Sequence, residues 1–155
     1  MAKAAKPIPD GYHTVTPYLI IKGAAKALDF YKKAFSATEL MRLADPKSDN
    51  IGHAEIKIGD STIMLADEYP DMGYRSPKSL GGTPVSLMLY VKDVDGLARQ
   101  AVAAGAKELR PVKDQFYGDR SGTFEDPFGH VWTIATHTED LTPDEIEKRA
   151  AAAFA

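Results

Sequence analysis

The spacing of hydrophobic and polar positions changes several times along the chain, and the order of the changes repeats. Thr14–Ile21 reads as a strand, with Pro17 restricting it to an edge or to a strand start. In Ala24–Phe35 the apolar residues Ala27, Phe30, Tyr31, Ala34 and Phe35 recur at three- and four-residue spacing. Lys26, Asp29, Lys32 and Lys33 fall outside that stripe, which predicts an amphipathic helix. Strands follow at Thr38–Leu43, His53–Ile58 and Ser61–Ala66, separated by a polar turn over 46–50 and by Gly59–Asp60. Asp67 to Pro84 is rich in Gly and Pro and reads as a long loop.

The same order then returns. A strand at Val85–Val91 leads to a helix at Val94–Ala104 that stops at Gly105. Strands are expected at Lys107–Val112, Thr123–Glu125 and Val131–Thr136. Asp126-Pro-Phe-Gly129 suits a type I turn, with Pro second and Gly fourth. Thr142-Pro-Asp-Glu145 opens a last helix as a capping box with Pro at its first position. Gly59 and Gly129 stand 70 residues apart, each before a final strand, and Ala37-Thr-Glu-Leu40 precedes Ala106-Lys-Glu-Leu109 by 69. Two tandem βαβββ modules of an α+β fold explain both spacings. Each alone leaves one sheet face exposed, so pairing them buries a shared core beside a cleft. The expected divisions are a loose lead-in over 1–11, modules over 12–68 and 85–137, a linker over 69–84, and a C-terminal helical segment over 138–155.

Composition narrows the function. With 155 residues, 44% apolar and 26% charged, the chain suits one domain or two small halves. A net charge of −3 gives no basic footprint for nucleic acid. The absence of cysteine excludes disulfides, thiolate catalysis and Cys-ligated zinc. The first residues have no continuous apolar segment of the signal-peptide kind, and no stretch has the length of a membrane span. A cytoplasmic location is the default expectation.

Candidate chemistry is concentrated in two places. From Asp114 to Thr136 the residues Phe116, Tyr117 and Arg120 could wall a small-molecule cleft around one cation, or form an ordinary hairpin with a surface Arg. Arg120 either forks onto a ligand carboxylate or phosphate, or bridges Asp119 or Asp126 internally. His53 and Glu55 lie two apart on a strand and so share a face, and Asp67 ends the neighbouring strand. Convergence of the three would make a divalent-metal ligand set or an acid–base pair; otherwise His53 only hydrogen-bonds. His13 and His137 flank the modules without partners at ligand spacing. No nucleophile elbow and no phosphate loop is present.

The segments Val15-Thr-Pro-Tyr-Leu19, Ala27-Leu-Asp-Phe-Tyr-Lys-Lys-Ala-Phe35, Gly52-His-Ala-Glu-Ile56, Met64-Leu-Ala-Asp67, Leu89-Tyr-Val-Lys-Asp-Val-Asp95, Gln115-Phe-Tyr-Gly-Asp-Arg120 and Asp126-Pro-Phe-Gly-His-Val-Trp132 occur in this order. The set resembles the vicinal oxygen chelate superfamily of glyoxalases, bleomycin-resistance proteins and extradiol dioxygenases, and most closely its PhnB-like branch. The resemblance implies a curved, barrel-like mixed sheet and a homodimer. It also implies up to four metal-ligand positions on the first and fourth strands of each module, here Thr16, Ile63, Ser86 and Thr133. None is His, Glu or Asp, so no cofactor is expected, and a divalent ion enters only through His53, Glu55 and Asp67.

Tyr18 and Tyr90 share the strand parity of Thr16 and Ser86. With Met88, Phe116 and Tyr117 they would line an apolar cleft with hydroxyl tips for a planar small molecule, or else fill the core. Two functions follow as expectations. One is metal-independent binding of a small organic ligand. The other is a lyase, isomerase or dioxygenase working from a non-standard site near His53. Glyoxalase I chemistry is disfavoured, because it requires the metal.

Overall fold

The computed structural model describes all 155 residues and divides them into two compact units, Met1–Gly82 and Thr83–Ala155. The first contains β1 (Tyr18–Ile21), α1 (Ala24–Phe35), β2 (Thr38–Ala44), β3 (Ile51–Ile58) and β4 (Ser61–Asp67). A 3-10 turn at Pro70–Met72 and a one-turn helix α2 (Pro77–Leu80) follow. The second contains β5 (Ser86–Tyr90), α3 (Val94–Ala104), β6 (Lys107–Asp114), β7 (Asp119–Glu125), β8 (Val131–His137) and α4 (Pro143–Ala153). The sheet orders match: β1-β4-β3-β2 in one unit and β5-β8-β7-β6 in the other. In each, the first strand runs parallel to the fourth and the remaining contacts are antiparallel. The tandem βαβββ reading therefore holds. The strands form two four-stranded mixed sheets rather than one closed barrel.

Each sheet buries one face against its own helix, but the two units fill that seam differently. In α1 the side chains of Leu28 and Tyr31 are fully buried, with Phe30 and Phe35 nearly so, against Leu19, Ile21, Ala54, Ile56, Ile63 and Leu65. Helix α3 buries only Val94, Ala98 and Ala101, and the sheet supplies the bulk instead through Phe124, Trp132 and Ile134. Seventy residues on, Leu28 is replaced by Ala98 and Tyr31 by Ala101, while Ala54 is replaced by Phe124. Exchanging volume between facing elements keeps a core close-packed without repeating its sequence.

Element boundaries differ from the sequence reading where hydrogen bonding, not hydrophobicity, decides. Strand β1 begins at Tyr18 rather than Thr14. Pro17 has no N–H to donate, and its carbonyl accepts the Met64 N–H at 2.9 Å to open the ladder. Strand β7 begins at Asp119, four residues before the expected start, because a polar run can pair as well as an apolar one. Asp126 to Gly129 forms the expected turn, closed by Gly129 N–H to the Asp126 carbonyl at 3.1 Å, with Gly129 at φ 91°. The expected capping box at Thr142 is also present, with reciprocal Thr142–Glu145 bonds. No helix is long and apolar enough to cross a membrane.

The segment read as a plain linker is locally organised by one carboxylate. Glu68 accepts the Ser76 N–H at 2.8 Å and its hydroxyl at 2.5 Å, and also the Ser79 hydroxyl. Those donors, the Ser76 hydroxyl first, hold the Glu68 pKa at about 2. Tyr69 and Tyr74 pair across the turn. A depressed carboxyl stabilises the fold above its unfolded pKa, and that contribution is lost as pH falls through the folded value. The Glu68 anchor is thus complete above pH 4.5 and fades towards pH 2. Glu68→Gln is expected to speed tryptic cleavage after Arg75 and Lys78 several-fold at neutral pH without changing global unfolding. Cleavage at the wild-type rate would show that other contacts hold the segment.

Candidate functional sites on the open sheet faces

Each sheet has a second face that its own helix does not cover, and strand parity decides what stands there. In the first unit the pairings Tyr18–Met64, Met64–Glu55, Glu55–Met41 and His53–Leu43 place these side chains on that face. Tyr18 Oη lies 2.8 Å from His53 Nδ1. His53 Nε2 lies 3.1 Å from Glu55 Oε1, and the Tyr12 hydroxyl donates to Glu55 Oε2. Burial pushes the Glu55 pKa up, but the hydrogen bonds from Tyr12 and His53 outweigh it, so the carboxyl sits below its usual range. The Tyr18 hydroxyl is raised, by burial first and then by the neighbouring Tyr74 and Glu55. The lead-in is held here too, since Thr62 Oγ1 donates to the Gly11 carbonyl at 2.8 Å.

In the second unit the pairings Ser86–Val131, Met88–Thr133 and Tyr90–Ala135 put Met88, Tyr90 and Thr133 on the open face. Tyr90 Oη donates to Asp119 Oδ2 at 2.8 Å, and His137 Nδ1 lies 2.7 Å from Asp119 Oδ1. Asp119 raises both partners' pKa values, through its hydrogen bonds to Tyr90 and to His137. Tyr18, Met88 and Tyr90 remain 47%, 45% and 62% exposed, so they are not core-filling side chains.

Several sequence expectations are corrected. Asp67 does not join His53 and Glu55. It is three residues beyond Met64 and therefore on the opposite, helix-covered face, where Oδ1 accepts the Gly23 and Ala24 N–H groups at 3.0 and 2.9 Å. No group of three His, Asp or Glu side chains is placed to hold a metal ion. Arg120 also faces its helix rather than the open face. It forks onto Asp95 at 2.9 and 3.0 Å and reaches Asp114 at 3.3 Å, instead of bridging Asp119 or Asp126. Phe116 packs edge-on against Phe154 and Tyr117. Ile63 points into the helix seam, only 3% exposed, and Met64 is the β4 residue that shares the open face. A thioether is no better a ligand than Ile for a hard cation.

His137 is the residue the sequence reading missed. Its partner on β7, Asp119, lies 18 residues away in sequence, while Asp140 follows it by three. The cross-strand pair Asp119–His137 becomes visible only once β7 is extended back to Asp119. Two surface cavities lie elsewhere. One of about 530 Å³ is floored by Ala98, Val102, Val112 and Phe124, and one of about 560 Å³ lies beside Lys22, Lys26, Asp49 and Asp67.

Two βαβββ units, each with a helix on one face and tyrosines, Met and a His–carboxylate pair on the other, define a small α+β protein built by tandem repetition. The glyoxalase/bleomycin resistance protein/dioxygenase superfamily model matches residues 12–134, and the chain belongs to that family. An uncharacterised Mycobacterium bovis protein, Mb0911c, is 44% identical over 136 residues, covering 86% of this chain and 89% of that one. Among solved structures, TioX from Micromonospora sp. ML1 matches with a TM-score of 0.62 and 25% identity, over 84% of this chain and 100% of that one. The PhnB protein of Bacillus cereus matches with a TM-score of 0.63 over 80% of this chain and 99% of that one; at 15% identity this is a likeness of fold.

Proposed function

We propose that the protein binds a small organic molecule with a flat apolar part on its open sheet faces, without metal at Thr16, Met64, Ser86 or Thr133, and that it does so as a PhnB-like homodimer in the cytoplasm. The observation that carries this reading is the exposure of Tyr18, Met88 and Tyr90 while the two tyrosine hydroxyls are already oriented, Tyr18 by His53 and Tyr90 by Asp119. An exposed ring whose polar tip is fixed offers a rigid stacking surface at small entropic cost, and Met88 adds an adaptable contact. Tyr117, near Tyr90, extends the same surface.

A second reading has support of its own. His53 is held between the Tyr18 hydroxyl and the Glu55 carboxylate, an arrangement suited to moving a proton in an enzyme of the lyase or isomerase kind. Native mass spectrometry of untagged protein purified without chelator tests both readings. The binder predicts dimer mass with a copurified organic adduct that Tyr18→Ala or Tyr90→Ala reduces. One divalent ion per subunit, surviving dialysis and lost in His53→Gln, would overturn it in favour of the enzyme.

A further inference from the structure

We infer, building on the ligand reading above, that Tyr12 is a built-in competitor for the open face of the first unit, and that the ligand taking its place there is a small organic ammonium ion carrying one flat ring. Glu55 stands on the face that no helix covers, yet it is only 7% exposed. Thr62, two residues before Met64 and so on the same face, is 4% exposed. What covers them is the lead-in. Tyr12 donates its hydroxyl to Glu55 Oε2, and Thr62 Oγ1 donates to the Gly11 carbonyl at 2.8 Å. In the second unit the buried carboxylate Asp119 has both of its side-chain partners on strands, Tyr90 on β5 and His137 on β8. Of the side chains that hold these two carboxylates, Tyr12 alone comes from outside a sheet.

The lead-in is lightly held. Residues 1–11 and 13–15 are exposed, and neither Ile8 nor Val15 anchors the segment. A segment tied by a few polar contacts opens at small cost. The place beneath Tyr12 is also short of positive charge. Burial acts against it, yet the Glu55 carboxyl stays below its usual range and is ionised at neutral pH. Glu39 lies against Lys32 and Arg42, and Asp95 against Arg120. No lysine or arginine pairs with Glu55, whose partners are a phenol and the His53 imidazole. A carboxylate taken out of water favours a full positive charge over a phenol. An ammonium group brings that charge with three donors on a compact head. The ring of Tyr18, exposed and hydrogen-bonded to His53, offers its face to the same cation. Tyr12 on leaving vacates the space of one aromatic ring, so a single flat ring is the body that fits. While Tyr12 holds Glu55, the apparent affinity is the intrinsic one scaled by the fraction of molecules in which the lead-in has left.

The probe is benzylammonium chloride, titrated near neutral pH into the untagged, ¹⁵N-labelled full chain, with benzyl alcohol as the uncharged analogue of the same shape. NMR shifts of the His53, Glu55 and Thr62 backbone amides report binding. Benzylammonium is expected to saturate these shifts and to bind more tightly than the alcohol. It should bind Tyr12→Ala several-fold more tightly than wild type, with Tyr12→Phe moving in the same direction. Both substitutions fall in the lightly held lead-in, and circular dichroism checks that each variant folds. Equal affinity in wild type and both variants would show that Tyr12 does not compete. Equal affinity for the alcohol would show that Glu55 does not select charge. Either result overturns the inference, as does the absence of any shift at the three amides. The copurified adduct judges the ligand reading separately: an adduct reduced in Tyr18→Ala, beside unchanged probe binding in both Tyr12 variants, leaves that reading standing and removes this one.

Discussion

Asp126→Ala is expected to destabilise the chain by roughly 3–5 kcal/mol, because it strands several buried donors at once. Asp126 is 3% exposed. Its Oδ1 accepts the Phe128 N–H at 2.9 Å and the His130 N–H at 3.0 Å, and its Oδ2 accepts Trp132 Nε1–H at 2.9 Å. The turn between β7 and β8 and the indole at the centre of the second core thus depend on one carboxylate. Alanine removes the carboxylate that the indole N–H and the Phe128 N–H donate to in a buried region, and the penalty there exceeds the mean value of a hydrogen bond. For a chain of this size the melting temperature should fall by roughly 10 °C. Trp132 is the only tryptophan, so its emission reports the same site and should shift to the red before the rest of the unit melts. Asp126→Asn keeps one acceptor but turns an NH₂ group towards one of the donors, and about half the loss is expected. A melting temperature within about 2 °C of wild type in Asp126→Ala would show that the turn is held by its Pro and Gly alone.

The fold was legible in the sequence because hydrophobic periodicity and turn glycines record it locally. α1 and α3 have the expected limits, Ala24–Phe35 and Val94–Ala104, since their apolar stripes begin and end with the helices. Strand starts were less legible. Thr14–Pro17 carries β-branched residues but forms no ladder, and Asp119–Gly122 lacks an apolar alternation yet pairs on both sides. What decides these ends is which backbone groups find partners, and a single sequence does not write that down.

The open faces were half legible. Parity put His53 and Glu55 on one face of their strand and Met88 with Tyr90 on theirs, but that Tyr18 stands beside the His53–Glu55 pair follows only from the pairing of β1, β4 and β3. Parity also shows why Asp67 and Arg120 had to be reassigned. Register between strands, which the sequence leaves open by one residue, sends each to the opposite face. The ion pairs of Arg120 illustrate the same limit. Asp119 is adjacent and so on the opposite face of β7, Asp126 lies in the turn beyond it with its carboxylate taken up by Phe128, His130 and Trp132, and the partners of Arg120 come from α3 and β6.

Asp67 provides the second large effect, and it separates a structural carboxylate from a metal ligand. Helix α1 starts at Gly23, which has φ 97°, no capping side chain and no acid in its first turn. The Asp67 carboxylate arrives from the end of β4 and does what a local cap would have done, accepting two of the free N–H groups and standing at the positive end of the helix. Its other oxygen accepts the Ile51 N–H at 2.7 Å and so holds the first residue of β3. Asp67→Ala should therefore cost about 2–4 kcal/mol, combining the loss of a cap with the loss of a charged acceptor. Urea unfolding would show a lower midpoint with an unchanged slope. Asp67→Asn keeps one acceptor but loses the charge and turns an NH₂ group towards either the helix N–H groups or the Ile51 N–H, and about half the loss is expected. A carboxylate that served a metal beside His53 and Glu55 would behave in the opposite way. Its amide variant would leave the metal-free protein as stable as wild type and abolish a bound ion. Stability that falls in Asp67→Asn, with no ion bound in either protein, assigns this residue to the scaffold.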